Sequence, residues 1–92
     1  MVSEEDKILL KQFFWKVKLC LDLFNNADEK WKVLPECNDY IADLYEIARK
    51  LSFEDETFEK IILDLESMIA MQRNDDSLFE RYREFITRLS QD

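Results

Sequence analysis

The chain has 92 residues and a formal net charge of −8, from 21 acidic and 13 basic side chains, and it contains no His and no Gly. This length suits a single domain over residues 1–92. Without Gly there is no glycine-rich loop for nucleotide phosphates, and without His there is no Ser-His or Cys-His nucleophile pair and no histidine metal ligand. We therefore expect a protein that is not an enzyme and that needs no metal or other cofactor.

The charge and the N-terminal residues bear on partners and compartment. A surface this acidic repels nucleic acid and anionic lipid, so neither is expected as a partner. Residues 1–6 carry acids where a secretory signal would carry bases, and no apolar run approaches the length of a membrane span. Cys20 and Cys37 form no CxxC motif and are expected to be reduced, buried thiols. These features predict a cytoplasmic protein.

The first helix is predicted from a start at Ser3 and Asp6 to a stop at Asn25 and Asn26. Ser is a preferred N-cap residue, and Asn tolerates the left-handed conformation in which many helices end. A short amphipathic piece is predicted next, around residues 28–33, with Trp31 turned inward. Apolar residues at helical spacing define the core face of the first helix, namely Leu10, Phe13, Phe14, Val17, Leu21 and Phe24.

Two more long helices follow at short intervals. One is predicted over residues 35–51, because Pro suits the first turn of a helix and disfavours a helical residue before it. The next follows a turn at residues 52–55, with Ser52 or Asp55 as its cap, and is predicted to end near residues 74–75.

The last helix is predicted from the capping-box spacing of Ser77 and Glu80. Because every connection between the predicted helices is only a few residues long, neighbouring helices should pack antiparallel. We therefore expect an all-α fold, an antiparallel four-helix bundle, with a short extra helix near residues 27–33 as an option. The core face of the last helix is predicted to comprise Leu78, Phe79, Tyr82, Phe85, Ile86 and Leu89.

The first helix also carries a second apolar face, formed by Ile8, Trp15, Leu19 and Leu23. A helix that is apolar on two sides is either central in its bundle or shares one side with another molecule. This face is therefore a candidate second interface, for a partner protein or for a homodimer through the first helix.

The negative charge is concentrated in the middle of the chain, where residues 53–72 hold six acids and one base. On the second long helix, acids at i, i+4 and i+7 share one ridge, and more acids crowd the start of the next helix. These groups either merge into one acidic surface for a basic partner or form a solvated outer face, since acids also stabilise a helix N-terminus. Tyr45 is expected to lie beside the acids of this ridge. The predicted partner-binding residues are Asp39, Asp43, Tyr45, Glu46, Asp55, Glu56 and Glu59.

Carboxylates are the only chemistry open to an enzyme of this composition. Glu56 and Glu59 form an ExxE pair, of the kind that all-helical nucleotide pyrophosphohydrolases use to hold magnesium. The downstream ExxD motif of those enzymes is missing, because Glu66 is followed by Ser-Met-Ile. The sequence therefore favours binding over catalysis.

In size, acidity, helical pattern and placement of its acids, the chain resembles the small helical immunity proteins that neutralise bacterial nuclease toxins of the colicin and contact-dependent growth inhibition type. The resemblance implies a bacterial inhibitor that binds a basic toxin, most plausibly a nuclease. Its acids would mimic nucleic-acid phosphates and block the active site. One alternative is a helical adaptor or secretion-chaperone-like module that acts through the second apolar face of the first helix. The other is a magnesium-dependent nucleotide pyrophosphohydrolase.

Overall fold

The computed structural model describes residues 2–91, and these residues are all-helical, without a strand. A 3₁₀ helix at Lys30–Val33 separates the first two α-helices. The molecule is elongated, with principal extents of 42, 23 and 18 Å. None of the helices in the described part of the chain is both long enough and apolar enough to cross a membrane. The α-helices are α1 (Glu4–Asn25), α2 (Leu34–Lys50), α3 (Glu56–Met71), α4 (Leu78–Arg81) and α5 (Arg83–Gln91).

Both ends of α1 lie where the sequence predicts them. The Oγ of Ser3 accepts a hydrogen bond from the backbone N–H of Asp6 at 3.1 Å, which satisfies one of the unpaired donors of the first turn. At the other end, the N–H of Asn26 donates to the carbonyl of Asp22 at 3.1 Å. Ser3 therefore caps the start of this helix, whereas Asn26 is right-handed (φ −93°, ψ −3°), so the helix ends at the predicted position without the left-handed conformation expected there.

The short piece before α2 is the 3₁₀ helix at Lys30–Val33, but the prediction that Trp31 points inward is wrong. The Trp31 side chain is 65% exposed, whereas Val33 and Leu34 pack against the core. Val33 and Leu34 thus take the inward positions of this segment, and the Trp31 ring lies at the surface, where the Nζ of Lys32 is 5.6 Å from its centroid.

The third long helix ends at Met71, earlier than the predicted stop at residues 74–75. Gln72 adopts the left-handed conformation, with φ 51° and ψ 44°. This conformation lets the N–H groups of Gln72 and Arg73 bond to the carbonyls of Ile69 and Met68, at 3.2 and 3.1 Å. These two hydrogen bonds satisfy carbonyl groups of the last turn. The helix therefore ends with Gln in a position that Asn or Gly usually takes.

The last helix is interrupted, and the predicted capping box does not form. The Oγ of Ser77 makes no capping hydrogen bond and instead accepts one from Arg81 at 2.9 Å. Tyr82 departs from helical geometry and separates α4 from α5, while its hydroxyl donates to Asp64 of α3 at 2.5 Å. Contacts with α3 therefore outweigh the local capping pattern here.

Aromatic rings join three of the helices in the core. Phe58 of α3 makes edge-on contacts with Phe13 of α1 and Phe85 of α5, each with 5.1 Å between ring centroids. Such edge-to-face pairs stabilise a core beyond the area they bury. The buried apolar residues around them include Val17, Cys20, Phe24, Cys37, Leu44, Ile61, Ile62, Leu65 and Leu78.

Polar contacts at both ends of α1 position this helix against the rest of the chain. Asp6 is only 2% exposed, and its carboxylate accepts hydrogen bonds from the N–H (3.0 Å) and the hydroxyl of Ser52, just after α2. Asn25 exchanges two hydrogen bonds with the backbone of Asp75, in the loop after α3, at 2.9 and 3.0 Å. The start of α1 therefore lies beside the end of α2, and its end lies beside the end of α3.

Candidate binding surfaces

The predicted acidic ridge of α2 is partly neutralised by α1. Lys16 donates to the Oδ2 of Asp43 at 2.9 Å, in a half-buried ion pair between the two helices. Asp39 and Glu46 are exposed and make no ion pair with any residue from 2 to 91. Of the three ridge acids, two therefore present unbalanced charge to solvent.

Tyr45 does not lie beside that ridge, which corrects the sequence-based prediction. It is two residues from Asp43 and so about 160° away around the helix. Its hydroxyl donates to the Oε1 of Glu66 on α3 at 2.5 Å. This hydrogen bond, together with desolvation and the nearby charge of Glu59, raises the pKa of Tyr45 to about 12. Asp43 therefore faces α1, while Tyr45 faces α3.

Four of the seven predicted partner-binding residues instead meet in a concavity of about 670 Å³ at the α2–α3 turn. We call it the turn concavity. Apolar side chains that include Leu51, Phe53 and Phe58 line it, and Arg49 is the only base that lines it among residues 2–91. Asp39, Asp43 and Glu46 lie outside it. The polar residues that line it are Tyr45, Arg49, Glu54, Asp55, Glu56 and Glu59.

The carboxylates of the turn concavity differ in how far the fold engages them. Asp55 caps α3, accepting from the N–H of Thr57 at 2.9 Å, and this bond lowers the pKa of Asp55. Glu56 pairs with Lys60 at 3.3 Å on the exposed face of α3, a kind of pair that contributes little to stability. Glu54 and Glu59 have no ion pair within residues 2–91. Those two acids are the most available to another molecule.

The second apolar face of α1 is split between solvent and core. Ile8 and Trp15 are 57% and 60% exposed. Leu19 is half-buried, and Leu23 packs against the core. The predicted second interface is therefore reduced to its first two members.

Ile8 and Trp15 border a groove of about 1020 Å³ between α1 and α5, which we call the α1–α5 groove. Its apolar walls also include Phe79, which is 36% exposed, and Ile86 and Leu89. Helical spacing alone predicts these three side chains on the core face. Leu89 also packs against the core, and no pattern in the sequence indicates the break at Tyr82 between α4 and α5.

Neither metal binding nor thiol chemistry has a site in the part of the chain that the structure describes. No group of three or more His, Cys, Asp or Glu side chains there could hold a metal ion. Cys20 and Cys37 are fully buried free thiols. Desolvation, followed by the effect of Cys37, raises the pKa of Cys20 to about 12, so the reactive thiolate is scarce at neutral pH.

Comparisons with protein-family models, with curated proteins and with solved structures found no match for this chain. The resemblance to helical immunity proteins therefore stays a prediction, and the functional argument depends on the geometry of the two surfaces.

Proposed function

We propose that this chain is a binding protein rather than an enzyme, an immunity-type inhibitor that acts in the bacterial cytoplasm on a basic toxin. The nuclease toxins are the class of partner we favour. The observation that carries the proposal is the turn concavity, whose lining within the described residues combines four carboxylates, Tyr45 and apolar side chains with a single base, Arg49.

The chemistry of the turn concavity suits an arginine- or lysine-rich protein surface. A long basic side chain can place its aliphatic stem on apolar groups such as Phe53 while its charged end reaches a carboxylate. Glu54 and Glu59 have no internal ion pair to give up, so an incoming cation displaces no existing contact. In the complex, these carboxylates would occupy positions that nucleic-acid phosphates take on the toxin.

The remaining acids contribute at longer range. A net charge of −8 attracts a basic partner before contact and raises the association rate, an effect that salt weakens. Asp39 and Glu46 add to this field from the ridge of α2. Asp43 contributes least, because Lys16 already neutralises it at 2.9 Å.

The test compares two double variants that remove the same charge from different places. We expect Glu54→Gln with Glu59→Gln to weaken binding to a basic nuclease encoded beside this gene by about tenfold or more, since close charge pairs are worth over 1 kcal/mol. Glu5→Gln with Glu84→Gln, at exposed positions outside the turn concavity, should change the affinity much less. Titration calorimetry and protection of nuclease activity measure both. Equal effects of the two doubles, or no effect of either, would contradict the proposal.

For the architecture, we propose an antiparallel four-helix bundle in which α4 and α5 together act as the fourth helix. Short connections between the helices support this arrangement. So do the Phe13, Phe58 and Phe85 contacts, which link α1, α3 and α5.

A second candidate function is that of a helical adaptor or secretion-chaperone-like module, or a homodimer, that uses the outer face of α1. The exposure of Ile8 and Trp15 beside an apolar groove favours it, because large apolar side chains clustered on a surface mark interaction sites. The magnesium-dependent pyrophosphohydrolase has no comparable support, since Glu56 lies next to Lys60 rather than in a group of metal ligands.

A further inference from the structure

The α1–α5 groove combines apolar walls with a row of basic side chains. Its walls include Ile8, Phe14 and Trp15 from α1, and Phe79 and Leu89 from the C-terminal helices. Three lysines of α1 also line it, Lys7, Lys11 and Lys18, and around the helix they lie between Phe14 on one side and Trp15 on the other. Among residues 2–91, Glu4 is the only acid that lines the groove, which is unusual in a chain with a net charge of −8.

The three lysines form one row along α1. At 100° per residue, Lys7, Lys11 and Lys18 lie within about 40° of one another around the helix. Lys11 has no ion pair within the described residues, while Lys7 pairs with Glu4 at 3.5 Å and Lys18 with Asp22 at 3.1 Å. Both are exposed ion pairs along the helix, and such pairs contribute little to stability. Lys7 and Lys18 can therefore leave these acids to pair with a binding partner.

We propose that the α1–α5 groove binds an amphipathic helix of another protein, whose apolar side chains contact Trp15 and Phe79 on the two sides of the lysine row. Acidic side chains of the partner helix pair with the lysine row between those contacts. This proposal rests on the second candidate function, and it specifies the partner's chemistry. Lys7 and Lys18 are eleven residues apart, or about 16 Å along the helix axis, so the partner helix spans about three turns.

The charge of the groove argues against other occupants. A second copy placed symmetrically on this face would bring two lysine rows close together, and like charges across an interface oppose association. A lipid surface is flat, whereas this site is a groove between two helices. An acidic amphipathic helix fits both the shape of the groove and the positive charge of its three lysines.

The experiment uses Trp15 as its own reporter. Trp15 and Trp31 are the two tryptophans, so Trp31→Phe leaves a single fluorophore in the groove. Two helical peptides with the same Leu and Phe residues are compared, one with Glu and one with Lys at the positions that face the lysine row. We expect the acidic peptide to shift Trp15 emission to shorter wavelength and to bind about tenfold more tightly than the basic one.

Charge-reversal variants then locate the contact. Lys11→Glu should weaken binding of the acidic peptide by about tenfold, whereas Arg73→Glu, at an exposed loop position outside the groove, should not change it. The Glu54→Gln and Glu59→Gln double variant should also leave peptide binding unchanged, which separates this proposal from the inhibitor proposal. Circular dichroism checks that each variant stays helical.

Four results would overturn the proposal. Two concern the peptides: neither of them binds, or the basic one binds as tightly as the acidic one. A third is sedimentation as a dimer that Trp15→Ser abolishes, which assigns the groove to a second copy. The fourth is a Trp15 shift with phosphatidylserine vesicles but with neither peptide, which assigns it to a membrane.

Discussion

At the scale of single residues, Asp6 has a role that its position in the first turn of α1 does not reveal. Its carboxylate is buried and accepts hydrogen bonds from both the N–H and the hydroxyl of Ser52. These bonds, the one from the hydroxyl most strongly, lower the pKa of Asp6 below its ordinary value against the opposing effect of desolvation. The charged form of Asp6 thus joins α1 to the α2–α3 turn.

Asp6 should make the stability of the fold depend on pH in the acid range. Because its pKa is lower in the folded chain, Asp6 stabilises the fold fully above the unfolded pKa of about 3.9. That stabilisation is lost as the pH falls through the folded-state pKa. Asp6→Asn should lower the urea midpoint at pH 7 and reduce the fall in stability between pH 5 and 2. Glu5→Gln, at the exposed neighbouring position, is the control. A variant with the wild-type midpoint and pH profile would refute this role.

At the scale of elements, the ends of the helices agree with the sequence patterns where a residue close in sequence caps the helix. They differ where contacts with other helices are involved. Ser3 caps α1 and Asp55 caps α3, each through a hydrogen bond to a residue two or three positions later. The end of α3 depends instead on Gln72 in a left-handed conformation. Gln is not a residue type that usually marks the end of a helix. The sequence pattern therefore predicts the end of this helix at Asn74 instead.

Gln72→Gly should stabilise the protein. Gln72 is the only non-Gly residue with positive φ among residues 2–91, and a side chain in this conformation costs about 1 kcal/mol, which Gly avoids. We expect a gain of about 0.5–1 kcal/mol in the free energy of unfolding, measured by urea denaturation. Gln12→Gly is the matched control, because this exposed position lies inside α1 and Gly there should cost about 1 kcal/mol. A loss of stability in Gln72→Gly would contradict the assigned conformation.

At the scale of the whole molecule, Phe58 connects more of the chain than any other aromatic residue described. Its ring contacts Phe13, Phe53 and Phe85, which belong to α1, the α2–α3 turn and α5. The integrity of both candidate surfaces therefore depends on one side chain, since the turn concavity lies at one end of α3 and the α1–α5 groove needs α5 packed in place.

Phe58→Ala should destabilise the protein by about 3–5 kcal/mol, because it removes buried surface and leaves a cavity. That is a large share of the 5–15 kcal/mol typical of a domain, so partial loss of helical signal is expected at 37 °C. Phe79→Ala, which truncates the same side chain at a partly exposed site, should cost far less. Thermal denaturation followed by circular dichroism compares the two. Similar melting temperatures would contradict the central position of Phe58.

The sequence by itself determined the all-helical class, both ends of α1 and most of the core face of that helix. Helical periodicity and capping depend on residues within one or two turns, so both can be recognised locally. The concentration of acids around the α2–α3 turn was also evident from the sequence. The sequence therefore predicts that Asp55 and Glu59 belong to an acidic region near Tyr45. It does not predict that these three residues line one concavity.

Only the tertiary structure decided which of these residues meet. The Asp6–Ser52 and Asn25–Asp75 contacts join residues 46 and 50 positions apart, and no local pattern encodes such a pairing. Packing also turned Asp43 toward Lys16 and Tyr45 toward Glu66, which divides the predicted acidic surface between two flanks of α2. The break at Tyr82 likewise depends on a bond to α3, and it leaves Phe79 at the edge of a groove. Side chains on one helix face can be predicted from spacing, but their neighbours depend on how whole helices pack.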